Sequence, residues 1–386
     1  MFLLLLARLH AFSFSRFLII SFPLLDSRRA ELKDTETAGM TVFLQSMKIK
    51  NSLFNSTEPL MLPGVPTSSV QDADLELSSL IQEHQKFYST DRRLEHDQAQ
   101  EKAIGDVKAI RYAFPESRQS WAQSLMCSWF ALLCAVDDEI ESLDPDEALH
   151  TLSQLILNIQ QIHHEQISKK NNPWRRRRAL PHDWQEQQHR LETRNQHLIL
   201  SAQTTLPPTQ YHQFLEQTIQ VWESMKAEIA VRHSRQKNEK TYLQIRAHTI
   251  GLSPFFTILQ TEFLTQKFSD TVTSAHLNRL QNHISIIVGL QNDLVGLKRD
   301  VASSETCNIV LLKTDASSPG TTSMGGAVGE VVRMHNQQVL DAVEEFGGIL
   351  DRCEDERSGG ALVARSMLGF AGRHFGWACR AERYRV

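Results

Sequence analysis

The sequence has few of the features that mark disulfide-bonded, zinc-binding, membrane-spanning or nucleic-acid-binding proteins. Its five cysteines are scattered and form no Cys-x-x-Cys pair, which argues against a disulfide framework or a zinc site and favours a reducing compartment. The net charge is only -4 at pH 7, so no overall field attracts nucleic acid. In the apolar N-terminal stretch, the longest uncharged run is Phe17 to Leu25, which is too short to span a bilayer.

Alternating Val, Ile and Thr residues, which would indicate strands, are also scarce. Glu, Gln, Leu, Ala, Arg and His dominate the periodic segments, and this composition predicts an all-α protein. Hydrophobic residues make up 41% of the 386 residues, which is enough for one large core. We therefore expect one helical domain over residues 67–386.

Residues 1–66 are expected to be a disordered lead-in to this domain. Residues 1–25 are apolar but interrupted by charged side chains, so a signal peptide or a transit peptide stays open as an alternative. We favour a start of translation at Met40 or Met47, which makes the leader dispensable. The protein is then expected to be cytoplasmic.

A hydrophobic segment that ends in a run of acids stands out in the first half of the chain. Ser120 to Glu141 has helical periodicity, and its apolar side leads into Asp137 and Glu141. Carboxylates this close together repel one another unless cations or solvent compensate. We predict metal ligands here, with an exposed acidic helix end as the alternative. The acids of this run are Asp137, Asp138, Glu139 and Glu141.

A second polar group lies at the C-terminal end of a long predicted helix that begins near His276. Asn292, Gly296 and Asp300 are at positions i, i+4 and i+8, so they share one helix face and span ~12 Å. An amide oxygen and a carboxylate are hard ligands that suit Mg²⁺ when the ion also touches a substrate phosphate. A solvated polar helix end is the alternative.

Gly251 and Pro254 must interrupt the helical segment that begins at Thr241. A break inside a buried helix frees backbone carbonyls, which can face a cavity. Arg246 lies just over one turn before the break, and we predict that it binds an anion. An ordinary interface arginine is the alternative.

Two further segments are predicted to lie outside the helices. Residues 163–195 are rich in His, Lys and Arg, and we interpret them as a solvated surface insert. A patch for nucleic acid or an anionic membrane surface is the alternative. Residues 302–326 are rich in Ser, Thr and Gly, and we expect a mobile loop that closes over a site.

Together, these motifs resemble those of the class I terpene synthases, most closely the microbial sesquiterpene cyclases, and we expect the fungal type. The resemblance covers roughly residues 67–386. The sequence Asp137-Asp138-x-x-Glu141 is similar to the family's aspartate-rich motif, and Asn292 to Asp300 is similar to its second metal motif. Each motif alone is weak, but their order and spacing are specific.

The resemblance implies roles for further residues. Arg246 lies 46 residues before Asn292, where the family has its diphosphate-sensing arginine. Thr249 and the Ile250 carbonyl follow at the linker and effector positions. The implied diphosphate-binding residues are Arg246, Arg299, Arg383 and Tyr384. The implied metal ligands are Asp137, Asp138, Glu141, Asn292, Gly296 and Asp300.

The family implies a single helical bundle around an apolar cavity, in which three Mg²⁺ ions, or Mn²⁺ in their place, hold a prenyl diphosphate. We expect a terpene cyclase that ionises and cyclises farnesyl diphosphate and releases diphosphate, with C10 and C20 substrates left open. Aromatic faces would steer the carbocation. Our candidates for these faces are Phe114, Phe130, Phe255, Phe256 and Trp377. No nucleic acid and no stable membrane span are expected, and the protein is expected to be a monomer or a homodimer.

The second motif departs from the family pattern at two positions. Gly296 replaces a hydroxyl ligand, and Asp300 replaces a longer glutamate. A non-catalytic helical family member that acts as a binding protein is therefore one alternative. A prenyltransferase is another, although it would be expected to carry a second Asp-rich motif. A membrane-anchored protein is a third alternative, and it depends on residues 1–25 alone.

Overall fold

A computed structural model gives the structure of the chain over a set of ranges. These ranges are residues 43–47, 50–51, 54–55, 59–64, 74–88, 94–167, 182–234, 238–264, 271–314, 323–353, 355 and 357–379. The strands within them are β1 (Phe43–Met47), β2 (Lys50–Asn51), β3 (Phe54–Asn55) and β4 (Leu60–Gly64).

The rest of the described structure is helical, and the all-α prediction is confirmed. The helices are α1 (Asp74–Tyr88), α2 (His96–Ala113), α3 (Ser120–Ile140), α4 (Pro145–Ile167), α5 (His182–Thr205), α6 (Pro208–Arg232), α7 (Glu239–Thr249), α8 (Ser253–Phe263), α9 (Thr271–Ala302), α10 (Ile309–Thr314), α11 (Met324–Leu350) and α12 (Gly359–Ala378). None of these helices is long and apolar enough to cross a membrane.

The long helix α9 is central to the packing and contacts α7, α10, α11 and α12. Its buried apolar side chains recur every three or four residues, as expected for a helix with one core-facing stripe. These side chains include Leu277, Leu280, Ile284, Ile287 and Val288. The C-terminal end of α9, which carries the second polar motif, is therefore fixed by packing on several sides.

Part of the predicted lead-in is structured, and the expectation of disorder over residues 1–66 is wrong for the strands. β1 pairs antiparallel with β4, from Phe43 opposite Gly64 to Met47 opposite Leu60. Leu60 is 0% exposed and packs into a buried cluster with α9, α10 and α11. Alternating apolar residues over a short run give β4 one buried face. Residues 1–42 lie outside the described part of the chain.

The side-chain amide of Asn336 in α11 fixes the start of β4, because its nitrogen and its oxygen both form hydrogen bonds there. Its Nδ2 donates to the Pro59 carbonyl at 2.9 Å, and its Oδ1 accepts from the Met61 backbone N–H at 2.8 Å. These bonds satisfy backbone groups that a short two-stranded sheet leaves unpaired. The strand is thus part of the folded domain.

The predicted helix break between α7 and α8 is confirmed. Gly251 has φ +71°, a conformation that glycine adopts without strain. A Cβ at this position would overlap the Leu133 side chain of α3. The Gly251 carbonyl accepts a hydrogen bond from Trp129 Nε1 at 2.9 Å, so α3 fixes the break in place.

The two segments predicted to be loops are partly helical. Residues 163–167 belong to α4 and residues 182–195 to α5, and residues 168–181 lie outside the described ranges. Asn195 is fully buried and donates to the Leu155 carbonyl at 3.1 Å, so the end of the predicted insert packs into the core.

The prediction of a mobile closing loop over residues 302–326 is likewise wrong for part of the first half of that stretch. The stretch 302–326 contains α10, where Ile309 and Val310 are 0% exposed. These side chains join the buried cluster that also contains Leu60. Residues 315–322 lie outside the described ranges. Residues 307–310 are buried against the core, so this part of the stretch does not fit the prediction of a mobile loop.

Leu60→Ala tests whether β4 is part of the core. The buried leucine fills space among helices, so its truncation should lower the free energy of unfolding by ~2–5 kcal/mol, measured by chemical denaturation. Leu200→Ala is the matched control, because Leu200 is 41% exposed. Its effect should stay within ~0.5 kcal/mol. Equal effects of the two variants would mean that β4 does not pack as described.

Candidate active site

A cavity of about 220 Å³ lies between α2, α3, α6, α7, α9 and α12. One water needs only ~10–15 Å³ of such space, so this cavity is far larger than a packing defect. Its lining includes polar residues from α3, α6, α7 and α9. It also includes aromatic residues from α2, α3, α8 and α12. The polar lining residues are Asp137, Glu141, Glu228, Arg232, Arg246, Asn292, Asp293, Arg299, Asp300 and Glu305.

The acidic end of α3 contributes two of its three predicted metal ligands to the cavity. Asp137 and Glu141 both line it, because residues four apart lie on one helix face. Asp138 is exposed and does not line the cavity. Successive helical residues are turned by about 100°, which directs Asp138 away from its neighbour.

The second motif contributes Asn292 and Asp300 to the opposite wall, together with Arg299. Gly296 is buried on the same helix and does not line the cavity. The Asp300 carboxylate accepts hydrogen bonds from Asn308 Nδ2 at 2.8 Å and from Arg299 Nε at 3.2 Å. Both of its oxygens therefore have protein partners already.

The two departures in the second motif are structurally linked. A Cβ added to Gly296 would lie 3.3 Å from Asp300 Oδ2. This is tighter than ordinary van der Waals contact, so a serine or threonine at 296 would press on the carboxylate. The short aspartate folds back over the space that the missing side chain leaves.

Arg246 is held at the cavity wall by a buried carboxylate. Its Nε and Nη2 both lie 3.1 Å from Asp293 Oδ1, and its Nη1 lies 3.8 Å from Glu228. Its aliphatic stem crosses α9 at Gly289, where a Cβ would lie 3.0 Å from Arg246 Cγ. The absence of a side chain at 289 is what lets the guanidinium reach this place.

Asp293 is the functional residue that the sequence reasoning missed. It is 2% exposed, and besides Arg246 it accepts hydrogen bonds from Tyr242 Oη at 2.7 Å and from the Ile309 backbone N–H at 3.0 Å. Burial raises the pKa of this carboxyl to about 6, and Arg246 opposes that rise. The sequence held one signal for such a residue. Tyr242 and Arg246 are four positions apart, so they share a face of α7 and can donate to the same acidic partner.

A second charged group at the cavity was also missed. Arg232 lies 3.3 Å from Glu305 and 3.6 Å from Glu228. Burial opposes its charge, but the carboxylates of Glu305 and Glu228 outweigh burial and raise the pKa of Arg232. Arg232 therefore adds a fixed positive charge to the same end of the cavity as Arg246.

Several of the other lining residues are aromatic, as predicted, with Phe370 in place of Phe256. Phe114 and Phe370 are stacked at 4.9 Å between ring centroids, and Phe130 meets Trp377 edge to face at 6.4 Å. Phe255 is also in the wall, but Phe256 is not. Phe256 is 0% exposed and belongs to the core, so its assignment is wrong. Phe370 takes its place and was not foreseen.

Of the remaining predicted residues, two line the cavity and two lie outside the described ranges, near the C-terminus. Thr249 and Ile250 line the cavity at the end of α7, directly after Arg246. Thr249 Oγ1 lies 3.5 Å from the Arg246 carbonyl. Arg383 and Tyr384 lie outside the described residues, so their role stays a prediction.

The oxygen donors of the two walls fit a divalent metal in part. Within the described ranges, no three His, Cys, Asp or Glu side chains are close enough to hold a metal ion by themselves. Asp137, Glu141 and the Asn292 amide are nevertheless the hard oxygen ligands that Mg²⁺ prefers, and Mg²⁺ commonly completes its shell with water and a bound phosphate. Asp300 would join them more readily if it gave up Arg299 or Asn308, because their hydrogen bonds occupy part of its lone pairs.

Comparison with protein families gives one match. The family described as terpene synthase family 2, C-terminal metal binding, matches residues 128–341, which is more than half of the chain. The matched region contains both polar walls of the cavity. No curated protein matches the sequence.

Solved structures share the fold at low sequence identity. Linalool/nerolidol synthase from Streptomyces clavuligerus, in complex with 2-fluorogeranyl diphosphate, has a TM-score of 0.58 and 14% identity, covering 78% of this chain and 98% of that one. Hedycaryol synthase has a TM-score of 0.58 and 15% identity, covering 81% and 97%. α-Eudesmol synthase has a TM-score of 0.55 and 15% identity, covering 81% and 98%. The fungal type stays a prediction.

Asp293→Asn tests whether the buried carboxylate holds the polar wall together. Arg246, Tyr242 and the Ile309 N–H all donate to it, and an asparagine offers one acceptor oxygen in place of two. Either Arg246, or Tyr242 together with the Ile309 N–H, then loses its acceptor oxygen, and the negative charge opposite Arg246 is lost, which should cost ~3–5 kcal/mol in the free energy of unfolding, measured by chemical denaturation.

Tyr242→Phe is the comparison variant, because it removes one donor and leaves the carboxylate in place. It should cost less, ~1.5–3 kcal/mol. If Tyr242→Phe were the more damaging of the two, Asp293 would not be the centre of this network.

Proposed function

Because this chain belongs to the terpene synthase family and has the class I terpene synthase fold, we propose that it is a sesquiterpene synthase that ionises and cyclises farnesyl diphosphate with the help of Mg²⁺. One observation carries the proposal. A single cavity is lined by oxygen donors and arginines and by stacked aromatic rings, and along α3 the aromatic Phe130 precedes the acidic Asp137 by about two turns. A prenyl diphosphate has the same division between a charged head and an apolar chain.

The charged end suits a diphosphate leaving group. The guanidinium groups of Arg246 and Arg299 supply hydrogen-bond donors and positive charge, and Arg232 adds charge nearby. Ionisation of an allylic C–O bond transfers negative charge to the diphosphate. Donors that are already oriented stabilise that charge without reorganising, which lowers the barrier to ionisation. Asp293 supplies this orientation for Arg246.

The metal ligands of the proposal come from both sides of the cavity. Asp137 and Glu141 of α3 and Asn292 of α9 would hold Mg²⁺, with three ions expected from the family. Bound Mg²⁺ neutralises the diphosphate and polarises the bond that breaks. Asp300 would serve as a ligand once diphosphate draws Arg299 away from it. Asp138 and Gly296 contribute less in this proposal, because neither lines the cavity.

The aromatic end suits the carbocation that remains after ionisation. Phe114, Phe130, Phe255, Phe370 and Trp377 line it. The negative faces of such rings attract a cation without forming a bond to it. The apolar wall also excludes water, which would otherwise capture the cation.

Farnesyl diphosphate is the proposed substrate, with geranyl and geranylgeranyl diphosphate as competitors. The expected size of the domain and the similarity to hedycaryol and α-eudesmol synthases support it. A prenyltransferase would instead lengthen its substrate when isopentenyl diphosphate is added. A binding protein would bind a prenyl diphosphate and release no diphosphate.

Turnover of these substrates, with and without Mg²⁺, tests the proposal in the chain that starts at Met40. Diphosphate release and cyclic terpene products are measured together. A Mg²⁺-dependent cyclic C15 product is the expected result. Folded protein that turns over none of the three substrates would contradict the proposal, and chain elongation with isopentenyl diphosphate would replace it by a prenyltransferase.

Asp137→Asn and Asp138→Asn form a matched pair on adjacent positions of α3. Only Asp137 lines the cavity, so its loss of charge should lower kcat/KM by ~10²-fold or more, while Asp138→Asn should have a much smaller effect. The Mg²⁺ concentration needed for half-maximal rate should rise with the first variant. Equal losses would mean that Asp138 turns into the site when substrate binds.

A further inference from the structure

His374 of α12 is the one imidazole in the described wall of the cavity. Its ring lies in the aromatic part, 5.7 Å from the ring of Phe370 and 6.2 Å from that of Trp377 between centroids. The carboxylates of the wall come instead from α3, α6, α9 and the residues that follow α9. The imidazole is therefore a polar group placed beside the proposed binding region for the hydrocarbon chain.

One ring nitrogen of His374 forms a hydrogen bond with a buried glutamine side chain. Its Nδ1 lies 2.9 Å from Oε1 of Gln291, which is 0% exposed. The other end of that amide, Nε2, donates to the Ala371 carbonyl at 3.0 Å. A carbonyl oxygen can only accept, so it fixes the orientation of the amide. Gln291 Oε1 must then accept, and His374 Nδ1 must carry the proton.

A chain of buried side chains supports the same orientation. The Pro59 carbonyl accepts from Asn336 Nδ2, which turns Asn336 Oδ1 toward His335 Nδ1 at 3.4 Å. His335 therefore carries its proton on Nδ1 and presents an unprotonated Nε2, which lies 3.1 Å from Gln291 Nε2. Both N–H groups of the Gln291 amide thus have acceptors, and only its oxygen is left for His374.

The consequence is that Nε2 of His374 is an unprotonated nitrogen. Burial, reinforced by the positive charge of Arg246, lowers the pKa of His374 to about 3, so the ring is neutral near pH 7. Nε2 has no hydrogen-bond partner among the described residues, it is not a fully buried atom, and His374 lines the cavity. Its lone pair is available to a molecule in the cavity.

We propose that His374 Nε2 is the base that removes the proton from the final carbocation. This proposal rests on the proposed function. A C–H bond next to the cationic carbon breaks, its electron pair forms the C=C bond of the product, and the proton bonds to Nε2 to give an imidazolium. The proton leaves to solvent after product release. A weak base suffices, because a C–H bond beside a carbocation is far more acidic than an imidazolium.

The position of the imidazole also gives it a selective role. Deprotonation by a fixed nitrogen removes a hydrogen from the carbon that lies against α12. Without that base, the cation is expected to lose a proton elsewhere or to be captured by water. The identity of the product should therefore depend on Nε2, while ionisation should not.

His374→Asn separates these two effects. The side-chain amide of asparagine can donate a hydrogen bond to Gln291, as His374 Nδ1 does. The substitution removes the nitrogen Nε2. Diphosphate release should stay within about threefold of wild type. The fraction of the main hydrocarbon product should fall by about tenfold, with alcohols and isomeric hydrocarbons in its place.

His283→Asn is the matched control, since His283 Nδ1 is also paired with a glutamine, Gln338, at 2.8 Å, and His283 does not line the cavity. Its products should match those of wild type. An unchanged product mixture in His374→Asn, at a preserved rate of diphosphate release, would overturn the proposal for His374 and leave the proposed function intact. Wild-type protein that releases no diphosphate would overturn both.

NMR of isotope-labelled histidine tests the assignment without turnover. The His374 signal, assigned in the wild-type protein from sequential backbone connectivities, should report a neutral ring with the proton on Nδ1. A proton on Nε2, or an imidazolium at neutral pH, would overturn the proposal even if His374→Asn failed to fold.

Discussion

The buried carboxylate of Asp293 is the interaction on which the polar half of the cavity depends. It joins α9 to α7 through Arg246 and Tyr242, and to α10 through the Ile309 N–H. A carboxylate this deep in the protein is costly unless it is fully hydrogen-bonded. Three donors from two other segments meet that need, so the charge can persist only while these segments stay together. The position of Arg246 follows from this constraint.

The same end of α9 brings together Gly296 and Asp300, the two positions that depart from the expected metal motif. Asp300 lies over Gly296 and is bonded to Asn308, which also donates to the Asp293 carbonyl at 2.8 Å. Aspartate at 300 thus has a structural role through its hydrogen bonds with Asn308 and Arg299. The Asp300 carboxylate lies next to the position where a side chain at 296 would begin, so the two positions are neighbours in the structure.

A second buried network links the N-terminal strand to the opposite wall. It runs from the Pro59 carbonyl through Asn336, His335 and Gln291 to His374. Each member has one orientation that satisfies its neighbours, so the tautomer at the cavity is set by a backbone carbonyl beside β4. Buried networks of this kind are stable only when every member is satisfied. Pro59 and β4, which lie after Met40 and Met47, are therefore connected to the cavity wall through this network.

The sequence by itself determined the features that depend on residues close to one another in the chain. Helical periodicity predicted the all-α fold and the shared face of Asp137 and Glu141, and Gly251 predicted the helix break, because these depend on residues a few positions apart. Tertiary structure decided the rest, since the partners are distant in sequence. Whether Asp293 faced solvent or an arginine, and which nitrogen of His374 carried a proton, depended on contacts between helices that no local pattern records.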